Sequence, residues 1–134
     1  MIYFDNSEFF PKIRPDFMKM LMSVEVWKRL EEFPNYHAST FGRIRRADGF
    51  VMSPSTNESG YQRLKLTKNK KSRVPYVHRL ILITFMPSEF DFEEFQVHHI
   101  NKVRNDNRLI NLQLILKIAH YEHHKHEIGD STWI

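Results

Sequence analysis

The amino-acid sequence predicts an α+β fold in which a β-rich half precedes a strand–loop–strand–helix unit. Polar and apolar side chains alternate over residues 61–68, and this period of two is typical of a strand with one apolar face. The apolar run over residues 77–85 has helical spacing, which favours a buried helix. Further on, residues 95–100 and 109–116 predict two strands around a polar loop, and residues 117–127 have a helical composition.

Two turns divide the β-rich half. Residues 39–45 contain a glycine, and they predict a turn that enters a strand. Residues 68–71 predict a polar hairpin tip, with residues 74–77 as the returning strand.

The predicted organisation has three parts. Residues 1–23 are rich in aromatic residues and methionine, which favours a short packing helix or a poorly ordered leader. Residues 24–75 form the β-rich unit. Residues 76–134 form the second unit, which contains the predicted helices over residues 77–85 and 117–127.

Composition excludes several kinds of site. The chain has 134 residues and no cysteine, so a disulfide, a cysteine-based zinc site and a thiol nucleophile are all excluded. No apolar run reaches the roughly 18 residues that would span a bilayer, and no signal peptide is evident. We therefore expect a soluble cytoplasmic protein with no membrane partner.

Positive charge is concentrated in the middle of the chain. The formal net charge is +4, but the stretch from Arg43 to Arg79 holds ten Lys/Arg against Asp48 and Glu58, a local balance of +8. This pattern favours a surface that faces a polyanion such as DNA. The alternative is a solvated surface on which basic residues happen to cluster.

Histidine is concentrated near the C-terminal end, where six of the eight histidines fall between positions 98 and 126. Because neighbouring residues on a strand point to opposite sides, His98 and His99 can serve different purposes. One can bind a divalent metal while the other takes a proton from water at neutral pH. His120 and His124 are four residues apart, so on a helix they share a face and can bind one metal ion.

These histidines belong to an ordered pattern that resembles the HNH motif of phage and intron-encoded homing endonucleases. The resembling segments are Val97-His98-His99-Ile100-Asn101, then Asn105-Asp106-Asn107-Arg108-Leu109-Ile110-Asn111-Leu112, then His120. Upstream, Glu25–Lys28, Tyr36 and Ser39–Arg45 resemble a modular DNA-binding motif that often precedes such domains, and Tyr76–Leu80 resembles the connecting segment.

The resemblance implies a metal-dependent DNA endonuclease with a ββα-metal (HNH, His-Me finger) unit. His99 would be the general base, and Asn111 would tie the loop so that His99 is oriented. The products would carry 5′-phosphate and 3′-hydroxyl ends, from a nick or a double-strand cut. The alternative is an HNH-fold protein that binds DNA without catalysis.

The resemblance also implies a metal site formed by His98, His120 and His124, with His123 as a competitor for the third place. His98 stands where the family usually has an acidic or amide ligand. Magnesium is the expected ion, although three imidazoles suit zinc or nickel better, and manganese remains open.

Double-stranded DNA is the implied partner, bound by a monomer or a homodimer, and a phage-infected bacterial host is a suitable setting. The residues predicted to contact DNA are basic and lie in or next to the β-rich unit: Arg43, Arg45, Arg46, Lys65, Lys68, Lys70, Lys71, Arg73 and Arg79. His78 is expected to be a packed or hydrogen-bonded histidine, with a supporting or DNA-facing role as the alternative.

Overall fold

The computed structural model describes residues 19–20, 23–86 and 95–116. It begins with an antiparallel sheet of three strands, β1 (Trp27–Arg29), β2 (Tyr36–Ser39) and β3 (Ile44–Arg46), in the order β1-β2-β3. Ala38 and Ile44 are paired on neighbouring strands and are buried, so this side of the sheet faces the core.

The turn between β2 and β3 lies where the sequence predicts it. The Ser39 hydroxyl oxygen accepts hydrogen bonds from the backbone N–H groups of Phe41 and Arg43, both at 3.1 Å. Gly42 has a φ of +85°, a left-handed conformation that L side chains rarely adopt. The residue types of this segment therefore dictate its shape.

The alternating stretch over residues 61–68 does not form one strand. It contributes β5 (Gln62–Arg63), which pairs with β4 (Ser55–Thr56), and β6 (Leu66–Lys68), which pairs with β7 (Lys71–Arg73). The ladder breaks at Leu64, whose backbone N–H donates to the Pro75 carbonyl oxygen at 3.1 Å. The apolar face is nevertheless kept, because Leu64 and Leu66 are both buried.

The polar hairpin tip is tighter than predicted. Asn69 and Lys70 have φ values of 53° and 64°, as in a two-residue turn that matches the twist of its flanking strands. The returning strand therefore begins at Lys71, before the predicted segment 74–77.

The predicted buried helix is confirmed as α1 (Val77–Phe85), which starts after the extended residue Tyr76. Its side chains face the core at Val77, Leu80 and Ile81. The helix ends at Phe85, and the next residue, Met86, is extended (φ −89°, ψ 154°), as expected for a residue that precedes a proline.

The two predicted C-terminal strands form a hairpin. Strand β8 (Phe95–His99) pairs antiparallel with β9 (Leu112–Leu116), and a 3-10 turn at Leu109–Asn111 leads into β9. The predicted helix over residues 117–127 lies outside the described residues, as does almost all of the predicted leader or packing helix over residues 1–23.

One cluster of buried apolar side chains draws on both predicted units. Leu30 and Ile44 come from the N-terminal sheet, Ile81 from α1, and Val97 and Leu114 from the β8–β9 hairpin. Because these elements share a core, the β8–β9 hairpin and the N-terminal sheet are held close together. Among the helices that the structure describes, none is long and apolar enough to cross a membrane.

Candidate active site

Strand β8 ends in the two adjacent histidines. His98 pairs with Gln113 of β9 and is 9% exposed, whereas His99 pairs with Leu112 and is 0% exposed. Since successive side chains of a strand point to opposite faces, the two imidazoles have different surroundings.

Asn107 holds His99 directly. The hydrogen bond joins His99 Nε2 and Asn107 Oδ1 at 2.9 Å, and the Asn107 side chain is itself buried. Because an amide oxygen only accepts, Nε2 donates and carries the proton. The other ring nitrogen, Nδ1, is buried and has no hydrogen-bond partner among the described residues.

Asn111 closes the loop between β8 and β9. Its Oδ1 accepts from the Asn101 backbone N–H at 3.0 Å, and its Nδ2 donates to Asn101 Oδ1 at 2.9 Å and to the Asp106 carbonyl oxygen at 2.8 Å. These three bonds join the start of the loop to its end. Asn111 thus shapes the loop that carries Asn107, and Asn107 makes the contact with His99.

An aromatic cluster packs against the His99 ring. The His78 ring lies 5.1 Å away, edge to face, and the Tyr61 ring lies 6.1 Å away. Tyr76 stacks on His78 at 5.3 Å. His78 is fully buried, and neither of its nitrogens has a hydrogen-bond partner within the described segments. It is the packed histidine that the sequence predicts, and it packs against the candidate base.

Burial keeps these imidazoles neutral. Burial lowers the pKa of His99 from its ordinary value, while the hydrogen bond that its Nε2 donates to Asn107 and the nearby Asp106 carboxylate act in the opposite direction. Burial lowers the pKa of His78 to about 3, with smaller contributions from the repulsion of a protonated His99 and of Arg79. A neutral His99 has a lone pair with which it can accept a proton.

The β-rich half contacts the loop that carries Asn107. The Leu109 backbone N–H donates to the Thr40 carbonyl oxygen at 2.9 Å, and Asn107 Nδ2 donates to Gln62 Oε1 at 3.0 Å. A Cβ added to Gly42 would lie 2.5 Å from the backbone carbon of Asn107, so only glycine allows this approach. The β-rich half therefore supports the candidate site.

Of the residues predicted to bind a metal, the structure describes only His98. His120, His124 and the competitor His123 lie outside the described residues. Within residues 19–20, 23–86 and 95–116, no group of three or more metal-binding side chains is found. The chemistry of the donor at position 98 fits a divalent metal, since a neutral imidazole is a common ligand and the chain has no thiolate to compete.

The predicted DNA-contacting residues fall into two sets. Arg43 pairs with Glu25 (Nε–Oε2 2.8 Å), Arg46 lies 3.5 Å from Asp48, and Arg73 lies 3.2 Å from Glu32. The remaining six form no ion pair within the described segments: Arg45, Lys65, Lys68, Lys70, Lys71 and Arg79.

Five of these six cations lie in three places. Lys68, Lys70 and Lys71 are exposed at the β6–β7 hairpin. Arg45 lies over the ring of Trp27, 4.2 Å from its centroid, on the side of the N-terminal sheet that faces away from Ile44. Arg79 is half-buried and lines a groove of about 410 Å³ with Glu32 and Tyr76, among others.

Three side chains at the site are missing from the sequence-based set of functional residues. Asn107 lies in the loop that the motif includes, but spacing alone does not show which loop asparagine reaches His99. His78 is predicted only as a packed residue. Gln62 carries no signal in the sequence, because it lies 37 positions before His99 and meets Asn107 only through the fold.

Comparison with known families divides the chain into two matching segments. Residues 25–67 match the family described as the NUMOD4 motif, and residues 75–120 match the family described as HNH endonuclease. Two uncharacterized HNH endonucleases of Acanthamoeba polyphaga mimivirus are 28% and 30% identical to this chain in alignments of 102 residues, which cover 74% and 75% of the chain. The same alignments cover 26% and 28% of those relatives, so the chain spans about a quarter of their length.

A solved structure agrees with these matches. The structure describing DNA binding and cleavage by the HNH homing endonuclease I-HmuI aligns with a TM-score of 0.65 and 25% identity. It covers 76% of this chain and 59% of I-HmuI. The α+β fold class is thereby confirmed, and the chain contains an HNH endonuclease domain over residues 75–120 with a NUMOD4 motif upstream of it over residues 25–67.

Proposed function

We propose that this chain is a DNA endonuclease that hydrolyses phosphodiester bonds with His99 as the general base. The observation that carries the proposal is the state of the His99 ring. Burial favours its neutral form, its Nε2 is held by Asn107, and its buried Nδ1 has a lone pair that no described residue uses. The family matches and the likeness to I-HmuI support the same reaction.

In this mechanism His99 Nδ1 accepts a proton from the water that attacks the phosphorus atom. Asn107 keeps the ring in one orientation while Nε2 remains protonated. Proton transfer by a positioned base of this kind typically accelerates a reaction about 10²- to 10⁴-fold. The aromatic ring of Tyr61 and the imidazole of His78 limit the rotation of His99, so the acceptor atom stays in place.

The proposed metal ligands are His98, His120 and His124. When bound, a divalent metal would offset negative charge on the phosphate and on the leaving oxygen. Mg²⁺ is proposed as the ion, with Mn²⁺, Zn²⁺ and Ni²⁺ to be compared in the assay. An all-imidazole set favours the later transition metals over magnesium, which makes the metal preference informative about the ligands.

Residues 24–75 are proposed as a unit that binds double-stranded DNA. Five of its predicted DNA-contacting cations form no ion pair in the described segments, and Arg79 of α1 is a sixth just beyond the unit. These six are the best candidates for phosphate contact, because their charge is not offset by a neighbouring carboxylate. The lysines of the β6–β7 hairpin lie on a two-stranded ribbon, a shape that the major groove of DNA admits.

The test is a plasmid-cleavage assay with each divalent metal and with a chelator. The parent protein should nick or cut the plasmid only when metal is present. A His99→Ala protein should bind DNA normally and cleave at least about 100-fold more slowly. Cleavage at the parental rate by His99→Ala would remove this residue from the mechanism.

The complete burial of His99 favours one alternative, a protein with the HNH fold that binds DNA without cutting it. In that case the plasmid would stay intact in every metal, while the protein would still retard DNA in a gel. A role for His98 in metal binding is tested separately, by calorimetric titration of His98→Ala with Mn²⁺ in the absence of DNA.

A further inference from the structure

We propose that Gln62 is a positioning residue that determines which nitrogen of His99 carries the proton. The proposal rests on the function assigned above to His99. It concerns a residue of the NUMOD4 segment, far from the HNH motif in sequence. It therefore makes the upstream unit part of the active site as well as a means of binding DNA.

The argument starts from the asymmetry of an amide. Asn107 has one end that only accepts and one end that only donates. Its Nδ2 donates to Gln62 Oε1 at 3.0 Å, and this turns Oδ1 toward His99 Nε2 at 2.9 Å. His99 must then hold its proton on Nε2, which leaves the lone pair on Nδ1.

The opposite arrangement is chemically consistent but inactive. If the group at position 62 donated to Asn107 Oδ1, then Asn107 Nδ2 would face His99 and donate to Nε2. The proton of the neutral ring would move to Nδ1, and this atom could no longer accept one from water. The end of the Gln62 amide that faces Asn107 thus decides whether the base is available, and in the structure this end is the accepting oxygen Oε1.

The surroundings of Asn107 make this influence strong. The residue is 3% exposed, so solvent does not compete for its amide. Its backbone lies against Gly42, and the following segment is anchored by the hydrogen bond from Leu109 to Thr40. The Asn107 side chain therefore has little freedom except rotation of its amide about the Cβ–Cγ bond, which would exchange Oδ1 and Nδ2. The hydrogen bond to Gln62 opposes this rotation.

Gln62 is itself placed firmly. It lies on β5 opposite Thr56 of β4, between Tyr61, whose ring contacts His99, and Arg63, which forms a bridge with Tyr76. The Thr56 side chain is exposed on the neighbouring strand. A substitution at Thr56 alters the same hairpin but leaves the hydrogen bond between Gln62 and Asn107 in place. Thr56 is therefore a matched control position.

Three substitutions separate the possibilities. Gln62→Glu only accepts and keeps the observed arrangement. Gln62→Lys only donates and imposes the reverse arrangement. Gln62→Met keeps the length of the side chain and removes both roles, and Thr56→Lys adds the same charge as Gln62→Lys at the control position.

The first measurement is the ¹⁵N spectrum of the histidine rings in the full chain, at a pH well above the range in which free histidine titrates. The His99 signals are identified by their loss in His99→Ala. The parent and Gln62→Glu should show the Nε2–H tautomer of His99, and Gln62→Lys should show Nδ1–H. The same tautomer in the parent and in Gln62→Lys would overturn the proposal.

The second measurement is the single-turnover cleavage rate at saturating DNA, together with DNA affinity. Gln62→Glu should stay within about 3-fold of the parent, Gln62→Met should be about 10-fold slower, and Gln62→Lys about 100-fold slower, with affinity unchanged. Thr56→Lys should cleave like the parent. Equal rates in Gln62→Lys and Thr56→Lys would contradict the proposal.

The two measurements keep this proposal distinct from the proposed function. If the parent does not cleave DNA, the function fails, while the tautomer of His99 still shows whether Gln62 controls the ring. If Gln62→Lys unfolds, as judged by circular dichroism, then Gln62→Met carries the test. A Gln62→Met protein with parental rate and a parental His99 spectrum would refute the role of Gln62.

Discussion

Replacing His78 by phenylalanine should make the folded protein less sensitive to acid. His78 is fully buried beside His99, and its two nitrogens have no hydrogen-bond partner among the described residues. Burial, followed by the charges of His99 and Arg79, lowers the pKa of His78 to about 3. A phenyl ring fills a similar space and cannot bind a proton.

The sign and size follow from proton linkage. In the unfolded chain the pKa of His78 returns to 6.5, so between pH 6.5 and about 3 only the unfolded chain binds this proton. The free energy of unfolding therefore falls as the pH falls through this window, by about 1.4 kcal/mol for each pH unit. Lowering the pH from 7 to 5 should cost the parent about 2 kcal/mol through His78, a large share of the roughly 5–15 kcal/mol that stabilises a small domain.

The assay is urea unfolding at pH 7 and at pH 5, followed by circular dichroism. The parent should lose about 2 kcal/mol more than His78→Phe between the two pH values. His37→Phe is the matched control, because His37 is only half-buried on β2, and this variant should keep most of the parental acid sensitivity. If His78→Phe loses as much stability between pH 7 and pH 5 as the parent does, protonation of His78 in the unfolded chain is not the cause of the acid sensitivity.

Three further predictions concern the loop and the proposed DNA-binding surface. Gly42→Ala should lower the melting temperature more than Gly49→Ala, because both glycines have positive φ but only at Gly42 would the added Cβ meet neighbouring backbone; equal shifts would contradict the contact. Asn111→Ala removes three hydrogen bonds and should reduce the free energy of unfolding by about 2–3 kcal/mol, measured in urea, and a loss under about 0.5 kcal/mol would argue against its role in the loop. Lys70→Gln should make the negative slope of log DNA affinity against log salt concentration less steep by about 0.9. Arg73→Gln should change this slope less, because Arg73 is already paired with Glu32. An unchanged slope in Lys70→Gln would place Lys70 away from the phosphates.

The main elements could be predicted because each depends on a local pattern. The helix α1 follows from apolar residues at helical spacing, and the turn at Gly42 follows from residue type. The strand predicted over residues 61–68 was wrong in its continuity, because its halves have different partners, β4 and β7. An alternating pattern of polar and apolar residues does not specify which strand pairs with which, because that depends on the tertiary structure.

At the candidate active site, too, some features follow from the sequence alone and others depend on the tertiary structure. By itself the sequence determined that His98 and His99 end a strand, that an asparagine-rich loop follows, and that the whole resembles an HNH motif. Only the tertiary structure decided that Asn107 contacts His99, that His78 packs against it, and that Gln62 holds Asn107 from the upstream unit. The physical reason is that strand periodicity and motif spacing are set along the chain, whereas a hydrogen bond across 45 positions depends on which surfaces pack together when the core forms.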